Sequence, residues 1–153
     1  LYFTECSGGG WSGPWKDDLM WKFKNLIIGN LRNWSSCILL WNLALDEKSG
    51  PVNGGCADCR GVVTARSDGT VDYTIDYYSL AHVSRFVHKG ARRIASTDLS
   101  AQNLDNVAFK NPDGSKVLIA MNGNDTARSV QVKTPEGILT ADIPAWSVIS
   151  LVW

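Results

Sequence analysis

The spacing of apolar positions changes once along this chain. In the first half, short apolar runs alternate with stretches at helical spacing. Residues 2–5 (Tyr-Phe-Thr-Glu) read as a strand that ends on a carboxylate and runs straight into Gly8-Gly9-Gly10. Residues 14–30 predict a helix: Pro14 suits a first turn, and Leu19, Phe23, Leu26, Ile27 and Leu31 recur on one face. Residues 37–45 (Cys-Ile-Leu-Leu-Trp-Asn-Leu-Ala-Leu) are almost continuously apolar, the pattern of a parallel strand buried on both faces. A loop rich in Gly, Pro, Asn and Asp covers residues 46–60, and loops of that length are often functional. A small hairpin over 61–65 and 70–73 turns at Ser67-Asp68-Gly69. A second helix is expected over 76–87, with Leu80, Val83, Ser84 and Val87 on one side and Gly90 beyond its end.

From Ala91 onward the period falls to two. Strands are predicted at 93–97, 107–110, 116–121, 129–133, 138–143 and 147–152. Strong turn signals separate them, Asn111-Pro112-Asp113-Gly114 and Asn122-Gly123-Asn124-Asp125 above all. Short strands at this spacing predict an antiparallel sandwich. The expected fold is thus α/β followed by all-β: the end of an α/β barrel in residues 1–88, and a β-sandwich in residues 89–153.

Composition narrows the function more than the fold. The 153 residues are 44% hydrophobic and 20% charged, a globular balance. Lys+Arg and Asp+Glu both number 15, so nothing asks for nucleic acid or a strongly anionic partner. No apolar run reaches the roughly 20 residues of a membrane helix. Seven Trp residues supply flat faces that suit sugar rings, or core and anchor positions. Cys56 and Cys59 form a C-x-x-C in the Gly-rich loop. Zinc would want a second such pair, so a short loop disulfide in an exported protein is the preferred reading, with reduced thiols the alternative. Cys6 and Cys37 read as buried small hydrophobes.

The candidate chemistry begins at Glu5. A carboxylate at the C-terminal end of a buried barrel strand stands where such barrels carry out catalysis; its bland alternative is a structural ion pair. Trp41 and Asn42 lie near the end of the next predicted strand. An acid, an indole face and an amide around one cavity describe a sugar subsite. Trp11, just past the glycine run, is a further lining candidate. His82 reads as a hydrogen-bonded structural residue, and His88 as a cation near a helix end. Asp58 and Arg60 are expected to pair with each other or touch substrate. Asn33-Trp34-Ser35 and Asn124-Asp125-Thr126 fit the glycosylation sequon, a pattern common by chance. No phosphate loop or metal cluster is evident, and no cofactor is expected.

These segments also resemble a known family. Thr4-Glu5-Cys6, the run from Leu40 to Asp46, Gly50-Pro51, the run from Gly54 to Val63 and the run from Tyr77 to Val87 are similar to glycoside hydrolase family 30. So are the stretches from Gly90 to Ile94, from Asn111 to Ser115 and from Ser147 to Trp153. The family includes glucosylceramidases and microbial endo-β-1,6-glucanases. The resemblance implies a retaining β-glycosidase built as a (β/α)8 barrel with a β-sandwich. It implies Glu5 as the nucleophile ending barrel strand seven and Trp41 as a strand-eight residue lining the glycone site. The Cys-x-x-Cys loop is closer to microbial members than to the lysosomal enzyme.

A retaining glycosidase needs a second carboxyl group. In this family it is a Glu on strand four, which no residue here matches, and neither Glu47 nor Glu136 is assigned that role. The chain is therefore expected to be the C-terminal piece of a secreted enzyme, inactive alone, whose N-terminal barrel supplies the acid/base. Its expected substrate is a β-glucan, β-glucoside or glycolipid. The rival expectation is a non-catalytic carbohydrate-binding sandwich, which would show an exposed aromatic strip there.

Overall fold

A computed structural model describes residues 1–135 and 137–153; the expectation attached to Glu136 lies outside the described residues. The chain divides into two compact units, Leu1–Ala81 and His82–Trp153.

The first unit opens with β1 (Tyr2–Phe3) and β2 (Gly8–Gly9). Helix α1 then covers residues 15–32, with π-type turns over Lys22–Ile28. Its buried face holds Phe23, Leu26, Ile27 and Ile28, and also, against the expectation of an apolar stripe, Asp18 and Lys22. β3 (Cys37–Ile38) pairs in parallel with β1, Tyr2 facing Cys37 and Phe3 facing Ile38. After β4 (Ala44–Leu45) and β5 (Cys59–Arg60) come β6 (Val63–Ala65), β7 (Val71–Tyr73) and helix α2 (Ile75–Ser84). β4 runs parallel to β6, and β6 antiparallel to β7.

The predicted strand over residues 37–45 is corrected here. Its two ends have different partners. Residues 37–39 bond to β1, whereas Asn42, Leu43 and Ala44 bond or pair with the chain at Val62 and Val63. The run is regular strand only at Cys37–Ile38 and Ala44–Leu45 and is interrupted between them.

The second unit is a sandwich. β8 (Arg92–Ile94), β9 (Leu104–Lys110), β10 (Lys116–Asn122), β11 (Arg128–Thr134), β12 (Gly137–Ile143) and β13 (Ser147–Val152) fall on the predicted strands within a few residues. One antiparallel sheet has the order β13-β10-β9-β8, and the β11–β12 ribbon forms the other layer. Ala108, Leu118, Ala120 and Ile143 pack between the layers, with Val130, Val132, Ile149 and Leu151 around them. The opposite face of the four-stranded sheet, Val107, Val117 and Ile119, is buried too. The segment from His82 onward reaches that face: His82 Nδ1 lies 2.8 Å from the hydroxyl of Ser150, the register partner of Ile119.

The helix predicted to reach residue 87 stops at Ser84. Asn111, 3% exposed, captures the residues just beyond that end. Its amide donates to the Phe86 carbonyl (2.9 Å), and its side-chain oxygen accepts the His88 N–H (2.9 Å). His88 is accordingly exposed beside Asp113 of the turn, 3.7 Å away.

Candidate active site

β1 and β3 run side by side, so both C-terminal ends emerge together. The ladder continues past the strands: the Leu39 N–H donates to the Phe3 carbonyl (3.0 Å) and the Trp41 N–H to the Cys6 carbonyl (2.8 Å). Glu5 and Trp41 therefore stand on neighbouring chain segments at one end of a parallel pair. Both side chains are exposed, Trp41 at 38%. Asn42 is half-buried; its main-chain carbonyl accepts the Val62 N–H (2.8 Å), and its side-chain Oδ1 is buried with no hydrogen-bond donor among the described residues. An open carboxylate, an indole face and an amide in this order suit a polyol ring.

Trp11 is exposed in a single 3-10 turn, Gly10–Ser12, directly after the glycine run. That run needs glycine because it lies against the 58–60 segment. β2 pairs antiparallel with β5, Gly8 opposite Arg60 and Gly9 opposite Cys59, and the Gly10 N–H donates to the Asp58 carbonyl (3.0 Å). A Cβ at Gly8 would collide with the Arg60 guanidinium, and one at Gly9 with the Asp58 carbonyl and the Trp11 ring. Cys56 and Cys59 are joined by a disulfide within this segment, while Cys6 and Cys37 are free thiols.

The expectation that Arg60 pairs with Asp58 is corrected. Its guanidinium turns inward, Nη2 to Asp18 Oδ2 at 2.6 Å and Nε to Asp76 Oδ2 at 2.8 Å. Burial alone would push the Arg60 guanidinium down, but its hydrogen bonds and charge contacts with Asp76 and Asp18 outweigh that and hold it above its ordinary value. The Lys22 ammonium lies 2.7 Å from Asp76 Oδ1 and 3.6 Å from Asp18 Oδ1. Sequence reasoning missed this cluster. Its one local signal is the Asp18–Lys22 spacing of four, which reads equally well as a surface pair.

Glu47 is engaged elsewhere. It accepts from the Ser67 N–H (2.8 Å) and hydroxyl (3.3 Å), and these bonds hold its carboxyl below the usual range. A carboxylate held ionised on a hairpin turn is a poor proton donor. In the sandwich, Phe109 is buried and Trp146 is the one aromatic side chain among the described residues with substantial exposure, at 37%; no exposed aromatic strip is present there. A cavity of about 690 Å3 opens between its layers, lined mainly by aliphatic side chains such as Ile94, Leu118 and Val132. No helix among the described residues is long and apolar enough to cross a membrane.

Known proteins resemble the chain along most of its length. Residues 90–151 match the glycosyl hydrolase family 30 β-sandwich domain. The endo-1,6-β-D-glucanase of Aspergillus fumigatus is 33% identical over 143 residues, 87% of this chain and 28% of the relative. The lysosomal acid glucosylceramidase of Mus musculus is 28% identical over 143 residues, 92% of this chain and 27% of the relative. A solved endo-β1,6-glucanase superposes with a TM-score of 0.91 at 33% identity, over 100% of this chain and 35% of its own. The chain spans about a third of the length of the relatives it matches.

Proposed function

The chain belongs to glycoside hydrolase family 30, and on that premise we propose that it carries the nucleophile half of a retaining β-glucosidase site. Residues 1–88 are the last two βα units of a (β/α)8 barrel in this reading, and residues 89–153 its sandwich. Glu5 is the nucleophile, Trp41 the platform under the glycone ring, and Asn42 and Trp11 further lining residues. The observation that carries the proposal is the hydrogen bond from the Trp41 N–H to the Cys6 carbonyl, which sets the indole-bearing segment beside the carboxylate.

The chemistry builds on that pairing. The Glu5 carboxylate attacks the anomeric carbon, the glycosidic C–O bond breaks, and a glycosyl ester forms with inverted configuration. A second carboxyl group, roughly 5–5.5 Å away, gives its proton to the leaving oxygen. It then takes a proton from the water that hydrolyses the ester, and the second inversion restores the β anomer. Glu47 is tied to Ser67 and is not assigned that role; in this reading the acid/base belongs to barrel strands outside this chain.

The substrate class is a β-glucoside. β-1,6-Glucan is the first polymer to assay, because relatives named for that linkage reach 33% identity, against 28% for the glucosylceramidase. The Cys56–Cys59 disulfide supports export, since such bonds persist in oxidising compartments.

The test is labelling of the complete enzyme with a 2-deoxy-2-fluoro-β-glucoside bearing a good leaving group, then peptide mapping. Stoichiometric label on Glu5, lost in Glu5→Gln, is expected. Full labelling of the Glu5→Gln enzyme would remove Glu5 from the nucleophile role.

A further inference from the structure

The glycine turn after Glu5 rests on a buried ionic cluster, and that cluster has a shape. Asp18 is 4% exposed, Lys22 1% and Asp76 2%. With Arg60 they make two cations and two anions drawn from three elements: Asp18 and Lys22 from α1, Arg60 from β5, Asp76 from α2. The Arg60 fork is satisfied on both sides, by Asp18 at 2.6 Å and Asp76 at 2.8 Å, while Lys22 sits 2.7 Å from the other oxygen of Asp76. Buried ion clusters are weak net stabilisers, because desolvation offsets their mutual attraction. What a planar guanidinium held by two carboxylates does provide is a fixed orientation.

That orientation is handed to the backbone beside the nucleophile. Gly8 pairs with Arg60 and lies so close that a Cβ there would strike the guanidinium. Gly9 pairs with Cys59, which is tied to Cys56, and the Gly10 N–H is held by the Asp58 carbonyl at 3.0 Å. On its other side the turn is fixed by the Cys6 carbonyl to the Trp41 N–H. Two residues separate Glu5 from Gly8, so a shift of the turn moves the carboxylate. We propose that Arg60 is a positioning residue: Asp18, Lys22 and Asp76 orient its guanidinium, and it in turn sets the Gly8–Gly9 turn that aims Glu5 at the anomeric carbon. This rests on the reading of Glu5 as nucleophile.

Misplacing an attacking group by about 1 Å costs on the order of 100-fold in rate while leaving substrate affinity largely intact. The experiment measures the limiting rate of fluoroglucoside labelling at Glu5, and KM and kcat for an aryl β-glucoside, in the complete enzyme. Arg60→Lys keeps the charge and loses the fork. It is expected to lower the limiting labelling rate and kcat at least tenfold, with KM changed less than threefold. Gly8→Ala keeps all four charged residues but sets a Cβ against the Arg60 guanidinium, disturbing the seat of the turn on the fork, so it is expected to reproduce the loss, and it serves if Arg60→Lys does not fold. Val117→Ala, a change on the buried outer face of the four-stranded sheet that lowers the melting temperature, is the control and is expected to keep the wild-type rate below its transition. Wild-type labelling rates in folded Arg60→Lys or Gly8→Ala would overturn the proposal, as would an equal loss in the Val117→Ala control. The two readings fail separately: a label mapped away from Glu5 in the unsubstituted enzyme removes the nucleophile, whereas normal-rate labelling of Glu5 in the variants removes only the positioning role.

Discussion

The main-chain N–H of Trp41 donates to the carbonyl of Cys6 across 2.8 Å. One backbone bond thus couples the residue after the candidate nucleophile to the residue that presents the indole. It uses no side chain, so substitutions at position 41 test the ring without cutting the tie. Trp41→Ala in the complete enzyme is expected to reduce kcat/KM for an aryl β-glucoside by about 10- to 100-fold, the scale of one lost aromatic stacking surface. Near-wild-type kcat/KM would mean that the ring does not face the sugar.

Lys22 is expected to be a costly position. Replacing it with Met removes one cation from a cluster that keeps two buried carboxylates, and breaking a buried pair from one side costs about 3–5 kcal/mol. Urea unfolding of Lys22→Met measures it. A loss below about 1 kcal/mol would show that the cluster is solvated or slack.

Asn111 holds the sandwich turn to the segment after α2: it bonds Phe86 (2.9 Å), His88 (2.9 Å) and the Ser115 hydroxyl (3.0 Å). Asn111→Ala leaves the Phe86 carbonyl and the His88 N–H without that partner, at about 1–3 kcal/mol for a buried group left unsatisfied. The expected readout is a lower melting temperature with secondary structure retained. An unchanged melting temperature would contradict this.

The sequence made the sandwich legible because each of its strands carries its own signal: period two, bounded by turns such as Asn111-Pro112-Asp113-Gly114. That the segments carrying Glu5 and Trp41 lie side by side was legible for a similar reason, since each belongs to a short apolar run that reads as a parallel strand. The break inside residues 37–45 was not, because an unbroken apolar run says nothing about which partner it meets or where its ladder stops. The ionic cluster was hidden for the same reason at longer range. Arg60 lies 42 positions from Asp18 and 16 from Asp76, so the nearer Asp58 attracted the assignment, and Asp18–Lys22 read as an ordinary helical pair although both are buried.

His82 makes stability depend on pH. Burial pushes its imidazole below its ordinary value of about 6.5. His82 Nδ1 lies 2.8 Å from the Ser150 hydroxyl, which donates to the His82 carbonyl at 3.3 Å. The folded state therefore binds the proton less well than the unfolded chain. The stabilisation is complete above about pH 6.5 and is lost as pH falls below it toward the lower folded value. Denaturant midpoints measured downward from about pH 7.5 should decline in that window, and the decline should flatten in His82→Asn. An equal slope in both proteins would assign the dependence to other groups.

The central claim, that Glu5 attacks the anomeric carbon, is tested most directly by the product a nucleophile-less enzyme makes. The complete Glu5→Ala enzyme is given a dinitrophenyl β-glucoside and sodium azide, and the glucosyl azide is identified by NMR. With Glu5 as nucleophile, azide enters the space its carboxylate leaves, turnover recovers, and the product is the α-glucosyl azide by a single inversion. A β-glucosyl azide, or hydrolysis in Glu5→Ala at the wild-type rate without azide, would contradict it.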